Sequence, residues 1–198
     1  MKNGRAVTAD GNGGSPMARK ILVVSHCLLN TAAKVRRYDR GESSAEERLR
    51  LKTARRALTR GVQLLQLPCP EFLTYGGRRW GHVYEQFDHP FFRKRCRAML
   101  EPVCEQLLCY AQDGEIDLLG VLGIDGSPSC GVKYTCRGEW GGELSGRDLA
   151  PFVSSVRLAP GRGVLMEEFG KLLAENGLKL RFEGLFAPEP ERALSVLE

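Results

Sequence analysis

The chain has 198 residues, the size of one globular domain, and its 42% hydrophobic and 27% charged residues exclude a wholly disordered, collagen-like or membrane-embedded protein. Its formal net charge of +5 favours anionic ligands without requiring nucleic acid. The seven cysteines are an odd number, and no basic stretch followed by an apolar stretch marks the start for secretion. We therefore expect a cytoplasmic protein whose thiols bind a metal or react, rather than a disulfide framework.

Residues 1–18 are rich in glycine and small polar residues and lack periodicity, which predicts a disordered tail. Residues 19–198 are then expected to form a single α/β domain. Its first element is the run 21–24, which is continuous and apolar, as in a parallel strand that is covered on both faces. This strand ends at Ser25-His26-Cys27.

A basic amphipathic helix is predicted next, because Leu51, Ala54 and Leu58 recur at helical spacing and indicate a buried face. The basic residues around them are Arg48, Arg50, Lys52, Arg55, Arg56 and Arg60. Aromatic residues do not interleave with these charges, so a solvated outer face is favoured over a nucleic-acid surface.

Two further apolar runs predict the second and third strands. The run 62–67 is terminated by Pro68 and followed by Cys69-Pro70-Glu71, and the run 116–124 is followed by Gly-Ser-Pro-Ser-Cys-Gly at 126–131. Each of the three predicted strands therefore ends near a cysteine.

A long helix is predicted between these two strands over residues 90–112, kinked or divided at Pro102. Cys96, Cys104 and Cys109 lie on or near its apolar side and are expected to pack as small hydrophobic residues.

The last part of the chain predicts an irregular excursion or lid over 132–160, a helix from about 163 to 176, and an edge strand over 178–184. Strands that alternate with helices indicate an α/β fold, a three-layer sandwich with a mainly parallel, Rossmann-like sheet.

The three strand-end cysteines are the strongest candidates for a functional site. In open parallel sheets, ligands bind beyond the carboxyl ends of the strands, so Cys27, Cys69 and Cys130 are expected to form one thiolate site. Three thiolates do not saturate a cubane cluster or a structural zinc, which leaves an open coordination position. Two alternatives stay open: each cysteine is simply a small buried hydrophobic residue, or Cys136 joins the three as a fourth ligand.

These motifs resemble the 2-thiouracil desulfurase family and its relatives. The resemblance is carried by Val24-Ser25-His26-Cys27-Leu28-Leu29-Asn30, Pro68-Cys69-Pro70-Glu71 and Ser127-Pro128-Ser129-Cys130-Gly131, in that order along the chain. Residues 74–80 depart from the Gly-rich, Pro-Arg-containing loop usual in the family, which weakens any inference about the substrate.

The resemblance implies a 4Fe-4S cluster that is held by Cys27, Cys69 and Cys130 and has one open iron. It also implies catalytic roles for Glu71 and Ser127, and an iron-sulfur-dependent desulfidase that removes sulfur from a small thiolated heterocycle by hydrolysis, without redox chemistry. An open iron is a Lewis acid for a soft thiocarbonyl sulfur, and Glu71 is then suited to activate water.

Alternatives remain for these residues and for the whole protein. Glu71 could instead cap a helix or pair with Arg78 or Arg79, and Ser127 could form a turn. The alternative function is a non-enzymatic redox module that binds zinc or a cluster, with Cys136 completing the ligand set. The expected partner is a small molecule; a membrane is excluded, nucleic acid is disfavoured, and the oligomeric state is left open.

Overall fold

The structure, a computed structural model, describes residues 18–36 and 41–198, with the side chains of 41–43 excepted. The predicted disordered tail therefore lies, up to residue 17, outside the described residues. None of the helices in the described part of the chain has the length and apolar character that a membrane crossing requires.

A four-stranded parallel sheet forms the centre of the fold. Strands β1 (Arg19–Val24), β2 (Gln63–Gln66), β3 (Ile116–Ile124) and β6 (Phe182–Leu185) are arranged in the order β2-β1-β3-β6. Val24 pairs with Gln66 on one side and Leu122 on the other, so the carboxyl ends of β2, β1 and β3 lie side by side at one edge of the sheet. Both neighbours of β1 follow it in sequence, and ligands bind at such a reversal of strand order.

Helices cover both faces of this sheet. On one face, α5 (Pro90–Gln112) and α7 (Val164–Glu175) pack on Val23 and Val121. On the other face, α2 (Gly41–Thr59) and α8 (Pro190–Ser195) pack on Leu22 and Leu122. Alternate strand residues thus point into two apolar cores, and the predicted three-layer, Rossmann-like α/β fold is confirmed.

Shorter elements surround the carboxyl edge of the sheet. They are α1 (His26–Leu29), the 3-10 turn Thr31–Ala33, α3 (Pro70–Tyr75), α4 (Tyr84–Phe87) and α6 (Ala150–Ser155). The predicted excursion over 132–160 is more regular than expected, because β4 (Tyr134–Arg137) and β5 (Arg157–Pro160) form an antiparallel pair within it.

The buried face of α2 differs from the prediction. Leu51 and Leu58 are 46% and 64% exposed, whereas Leu49, Thr53 and Ala57 are buried. The buried stripe passes through a threonine because the Thr53 hydroxyl donates a hydrogen bond to the Leu49 carbonyl at 2.9 Å, which satisfies its polar atom.

Two features of α5 bear on the predictions. The helix is not divided at Pro102, which lies on its exposed side, while one buried stripe runs from Phe92 to Leu107. Cys96 and Cys104 are buried as predicted, but Cys109 is exposed because it lies off that stripe.

Candidate active site

Three strand ends deliver three thiols to one cavity of about 250 Å³ at the carboxyl edge of the sheet. Cys27 follows β1, Cys69 follows β2 and Cys130 follows β3. Cys69 and Cys130 are buried and Cys27 is half-buried, and all seven cysteines of the chain are free thiols. The structure therefore brings together the three cysteines that the sequence singled out.

Cys69 is positioned by the helix that it precedes. It is the N-cap residue of α3, with Pro70 at the first helical position, and its Sγ accepts a hydrogen bond from the Phe72 N–H at 3.4 Å. The hydrogen bond from Cys27, together with that from Phe72, lowers the pKa of Cys69 to about 7. This thiol therefore ionises the most readily of the three.

The other two thiols resist ionisation. A hydrogen bond to Cys69, burial and the charge of the neighbouring thiols raise the pKa of Cys27 far above its ordinary value. Burial raises the pKa of Cys130 to about 12. Three thiolates in this cavity would repel one another, so positive charge between them favours their joint ionisation.

The loop that carries Cys130 is a hydrogen-bonded turn. The Ser127 Oγ accepts hydrogen bonds from the backbone N–H groups of Ser129, at 3.3 Å, and Cys130, at 3.0 Å. The Cys130 carbonyl in turn accepts from the Ile124 N–H at 3.0 Å. The turn-forming role that the sequence left open for Ser127 is present, and its half-exposed hydroxyl still lines the cavity.

Glycine lets the start of α7 approach this loop closely. The Gly163 N–H donates to the Gly131 carbonyl, and the Val164 N–H donates to the Pro128 carbonyl, so the start of α7 binds the loop through its backbone. A Cβ atom on Gly163 would lie 2.4 Å from the Ser129 carbonyl carbon. Only glycine permits this contact.

Asp125, which no sequence motif singled out, also shapes the loop. The Asp125 Oδ1 accepts hydrogen bonds from the Val132 and Lys133 N–H groups at 2.8 and 3.0 Å. Its Oδ2 lies 3.0 Å from the Arg192 guanidinium, and a Cβ atom on Gly184 would lie 2.2 Å from that same oxygen. The signal available in the sequence was a carboxylate directly after a buried strand, at the start of a glycine-containing loop.

Glu71 is buried in the same cavity and is held by three side chains. Its Oε1 accepts hydrogen bonds from the hydroxyls of Ser129, at 2.6 Å, and Ser127, at 3.4 Å. Its Oε2 lies 3.3 Å from the Arg79 Nε, whose side chain is 3% exposed. The pairing with Arg79, which the sequence left open, is present, whereas the strong contact with the fully buried Ser129 was missed.

Three further side chains line the cavity, in addition to the three thiols and the residues that contact Glu71. Lys34 lies beside Cys27 and forms an ion pair with Glu46. Cys136, on β4, is half-buried. The Ser25 Oγ is buried beside Cys130 and partly offsets the rise that burial causes in the pKa of that thiol, but no hydrogen bond of ordinary geometry satisfies it among the described residues, so it is available to a bound group.

The three thiols suit a cofactor with several metal centres, each of them bound by one thiolate. Within residues 18–36 and 41–198, no group of three or more His, Cys, Asp or Glu side chains is gathered closely enough to hold a metal ion. In an iron-sulfur cluster each cysteine binds its own iron, so the thiols do not need to converge on one point. The three thiols and the unpartnered Ser25 hydroxyl therefore fit such a cluster.

A second, larger cleft of about 480 Å³ adjoins the cavity. The two share Arg79, Gly81 and His82 as lining residues. Aromatic side chains from loop 76–83 and from the excursion, among them Trp80 and Trp140, line the cleft.

Comparison with known proteins agrees with the motifs. A protein-family profile described as "Putative 2-thiouracil desulfurase" matches residues 19–148, which include Cys27, Cys69, Glu71, Ser127 and Cys130. An uncharacterized protein of Methanocaldococcus jannaschii is 28% identical over 153 residues, which cover 77% of each chain. No solved structure matches the chain significantly.

Proposed function

The chain belongs to the 2-thiouracil desulfurase family, and on that premise we propose that it hydrolyses the carbon–sulfur bond of a thiolated heterocycle similar to 2-thiouracil. In this reaction water supplies the oxygen of the new carbonyl group, and the sulfur leaves as hydrosulfide, so no net oxidation or reduction takes place. We place the reaction in the cytoplasm, where thiols stay reduced.

The proposed cofactor is a 4Fe-4S cluster that is held by Cys27, Cys69 and Cys130. When bound, such a cluster supplies a soft Lewis acid at the iron that lacks a protein ligand, which suits a thiocarbonyl sulfur. The three thiols at one cavity and the unpartnered Ser25 hydroxyl support this assignment.

Glu71 is the proposed general base. Arg79 holds one oxygen of its carboxylate and Ser129 holds the other, so its orientation is set before any substrate binds. In the proposed step Glu71 takes a proton from the water that attacks the thiocarbonyl carbon.

Ser127 is the proposed donor that returns this proton to the substrate. Its half-exposed hydroxyl lies 3.4 Å from Glu71, whereas Ser129 is fully buried and orients the carboxylate. A proton that Glu71 accepts can therefore return through Ser127 to the substrate as the carbon–sulfur bond breaks. The single observation that carries the proposal is that this hydrogen-bonded acid–hydroxyl group and the three thiols line the same cavity.

Anaerobic purification and reconstitution test the proposal directly. We expect a coloured protein with about four irons and four sulfides per chain, the content of a 4Fe-4S cluster, that releases hydrosulfide from one or more members of a thiobase panel. A Cys109→Ala variant is the matched control, because that thiol is exposed and lies away from the cavity. Colourless protein with one zinc per chain and no release of hydrosulfide would contradict the proposal.

One observation favours a second candidate, the non-enzymatic redox module. Cys136 lines the same cavity, so a bound cluster could take it as a fourth thiol ligand. Loss of bound metal in a Cys136→Ser variant would support this module, and retention of both cluster and turnover would exclude it.

A further inference from the structure

We propose that the substrate carries a second planar aromatic group, joined to its thiolated ring, and that this group stacks in the cleft beside the catalytic cavity. This inference deepens the proposed function and rests on it. It names Trp80 and Trp140 as the residues that determine substrate specificity.

The size of the cleft suits one ring system of a small molecule. Its volume of about 480 Å³ lies within the range of roughly 300–1,000 Å³ that ligand pockets occupy. The catalytic cavity has about 250 Å³. A single thiolated ring bound at the thiols would therefore leave the cleft empty.

The lining of the cleft is rich in aromatic faces. It includes Tyr75, Trp80, Trp140, Leu144 and Phe152. Trp80 is 77% exposed and Leu144 is 56% exposed. Large apolar side chains gathered around a concavity at the surface are typical of a ligand site, and ring faces favour planar partners.

The cleft and the cavity form one continuous site at His82. The residue lines both spaces, and its Nδ1 is buried with no hydrogen-bond partner among the described residues. An unpartnered ring nitrogen at this junction is available to a polar atom of a ligand that spans the two spaces. Arg79, which orients Glu71, lines the same junction.

The charges of the cleft favour an aromatic group over an anionic one. Arg79 is occupied by Glu71 and by the carbonyls of Gly76 and Ala33. The Arg147 guanidinium lies 3.7 Å from the centroid of the Phe152 ring and stacks on it. Both arginines of the lining are thus engaged, whereas the ring of Trp80 is open to solvent.

Binding of non-hydrolysable oxygen analogues tests the inference without turnover. Trp80 and Trp140 are the only two tryptophans of the chain, so the intrinsic fluorescence reports on the cleft. With the reconstituted protein, we expect 6-benzyluracil to quench this fluorescence and to bind at least about tenfold more tightly than uracil, as stacking and burial of one ring suggest. Equal affinities would overturn the inference.

Turnover supplies the second measurement. We expect kcat/KM for 6-benzyl-2-thiouracil to exceed that for 2-thiouracil by about tenfold, and this ratio to fall toward one in Trp80→Ala and in Trp140→Ala. Phe91→Ala is the control, because Phe91 is an aromatic residue that is 84% exposed and lines neither space. An unchanged ratio in both tryptophan variants would overturn the inference.

The two proposals fail in different ways. Hydrosulfide release from 2-thiouracil with no preference for the benzyl compound leaves the function intact and overturns the inference. Binding of 6-benzyluracil that depends on Trp80, without hydrosulfide release from either thio compound, overturns the proposed function and supports an aromatic ligand in the cleft.

Discussion

The thiol-lined cavity and the aromatic cleft share a wall but are built by different means. The cavity is formed where three strands of the sheet end, and its loops are held by backbone hydrogen bonds and buried carboxylates, such as those of Glu71 and Asp125. The cleft is formed mainly by loop 76–83 and the excursion, and its aromatic side chains are either exposed, as in Trp80 and Tyr75, or half-buried, as in Trp140 and Phe152.

This difference suggests that the cavity holds the reacting groups and that the cleft selects the substrate. Groups that must keep their positions to within a fraction of an ångström are held in helix starts and hydrogen-bonded turns at the strand ends, whereas groups that select a ligand sit on more exposed loops. Substitutions in the cavity wall should therefore abolish a function, and substitutions in the cleft should change which substrate is preferred.

The largest expected effect concerns the three thiols. In Cys27→Ala, Cys69→Ala and Cys130→Ala, we expect the reconstituted protein to lose iron, visible absorbance and turnover, because each thiol binds one iron in the proposed cluster. The loss should exceed the roughly 10- to 100-fold effect that follows removal of a residue that merely supports a metal ligand. Cys104→Ala, a buried thiol outside the cavity, should retain the cluster, and a full cluster in all three variants would refute the ligand assignment.

Glu71→Gln should lower turnover without loss of the cluster, which distinguishes the role of the acid from that of the thiols. The amide keeps the size of the side chain but cannot accept a proton, so turnover should fall by roughly 10²–10⁴-fold, the usual contribution of a general base. The absorbance of the cluster should be unchanged. The matched control is Glu101→Gln, an exposed residue of α5. Wild-type turnover in Glu71→Gln would exclude its catalytic role.

Gly163→Ala tests whether the cavity depends on backbone packing. A Cβ atom there would lie 2.4 Å from the Ser129 carbonyl carbon, so we expect a loss of about 2 kcal/mol in the free energy of unfolding, as overpacking causes. Iron content after reconstitution should also fall, because the displaced loop carries Cys130.

Gly141→Ala, in the cleft, is the matched control for this substitution. No atom lies within 4 Å of the Cβ that it would add, so its free energy of unfolding should stay within about 0.5 kcal/mol of the wild type. Equal stability of the two variants, measured by urea unfolding, would show that the cavity wall is no more tightly packed than the cleft.

The smallest effect is expected at Glu168, a buried residue of α7 that lines neither region and forms ion pairs with Arg93 and Lys171. Although burial opposes its ionisation, hydrogen bonds from Lys171 and Arg93 lower its pKa, and Arg93 also binds the Tyr84 hydroxyl. Glu168→Gln should cost about 1–2 kcal/mol at pH 7, since Arg93 keeps its bonds to Glu167 and Asp88.

The sign of the pH dependence follows from the lowered pKa of Glu168. The folded protein binds this proton less tightly than the unfolded chain, so the stabilisation is complete above the ordinary glutamate pKa of about 4.3 and is lost as the pH falls through the lower folded value. Urea unfolding of wild type and Glu168→Gln from pH 7 to pH 3 measures this. A stability difference that is constant with pH would contradict it.

The sequence predicted best the strands and helices whose limits are set by hydrophobic periodicity and by the residues that end an element. Residues 116–124 and 90–112 form the strand and helix that were predicted, with the same limits. The meeting of Cys27, Cys69 and Cys130 was also predictable, because parallel strands bring their carboxyl ends to one edge.

What the sequence did not predict depends on contacts between distant segments. Ser129 is distinguished from Ser127 only by its burial against Glu71, which lies 58 positions earlier in the chain. The buried face of α2 was misassigned because Thr53 satisfies its own hydroxyl, which composition does not reveal. The roles of Asp125 and Gly163 follow from approaches that only the folded backbone defines.

The contacts of the Cys130 loop have a consequence for the order of assembly. Gly163, Gly184 and Arg192, which close around this loop and its Asp125, are all synthesised after it. While Cys130 itself is being added to the growing chain, the segments that give its loop a fixed shape have not yet been made. We therefore expect the cavity wall to take its final shape only after residue 192 has been synthesised, and a cofactor to enter after that point.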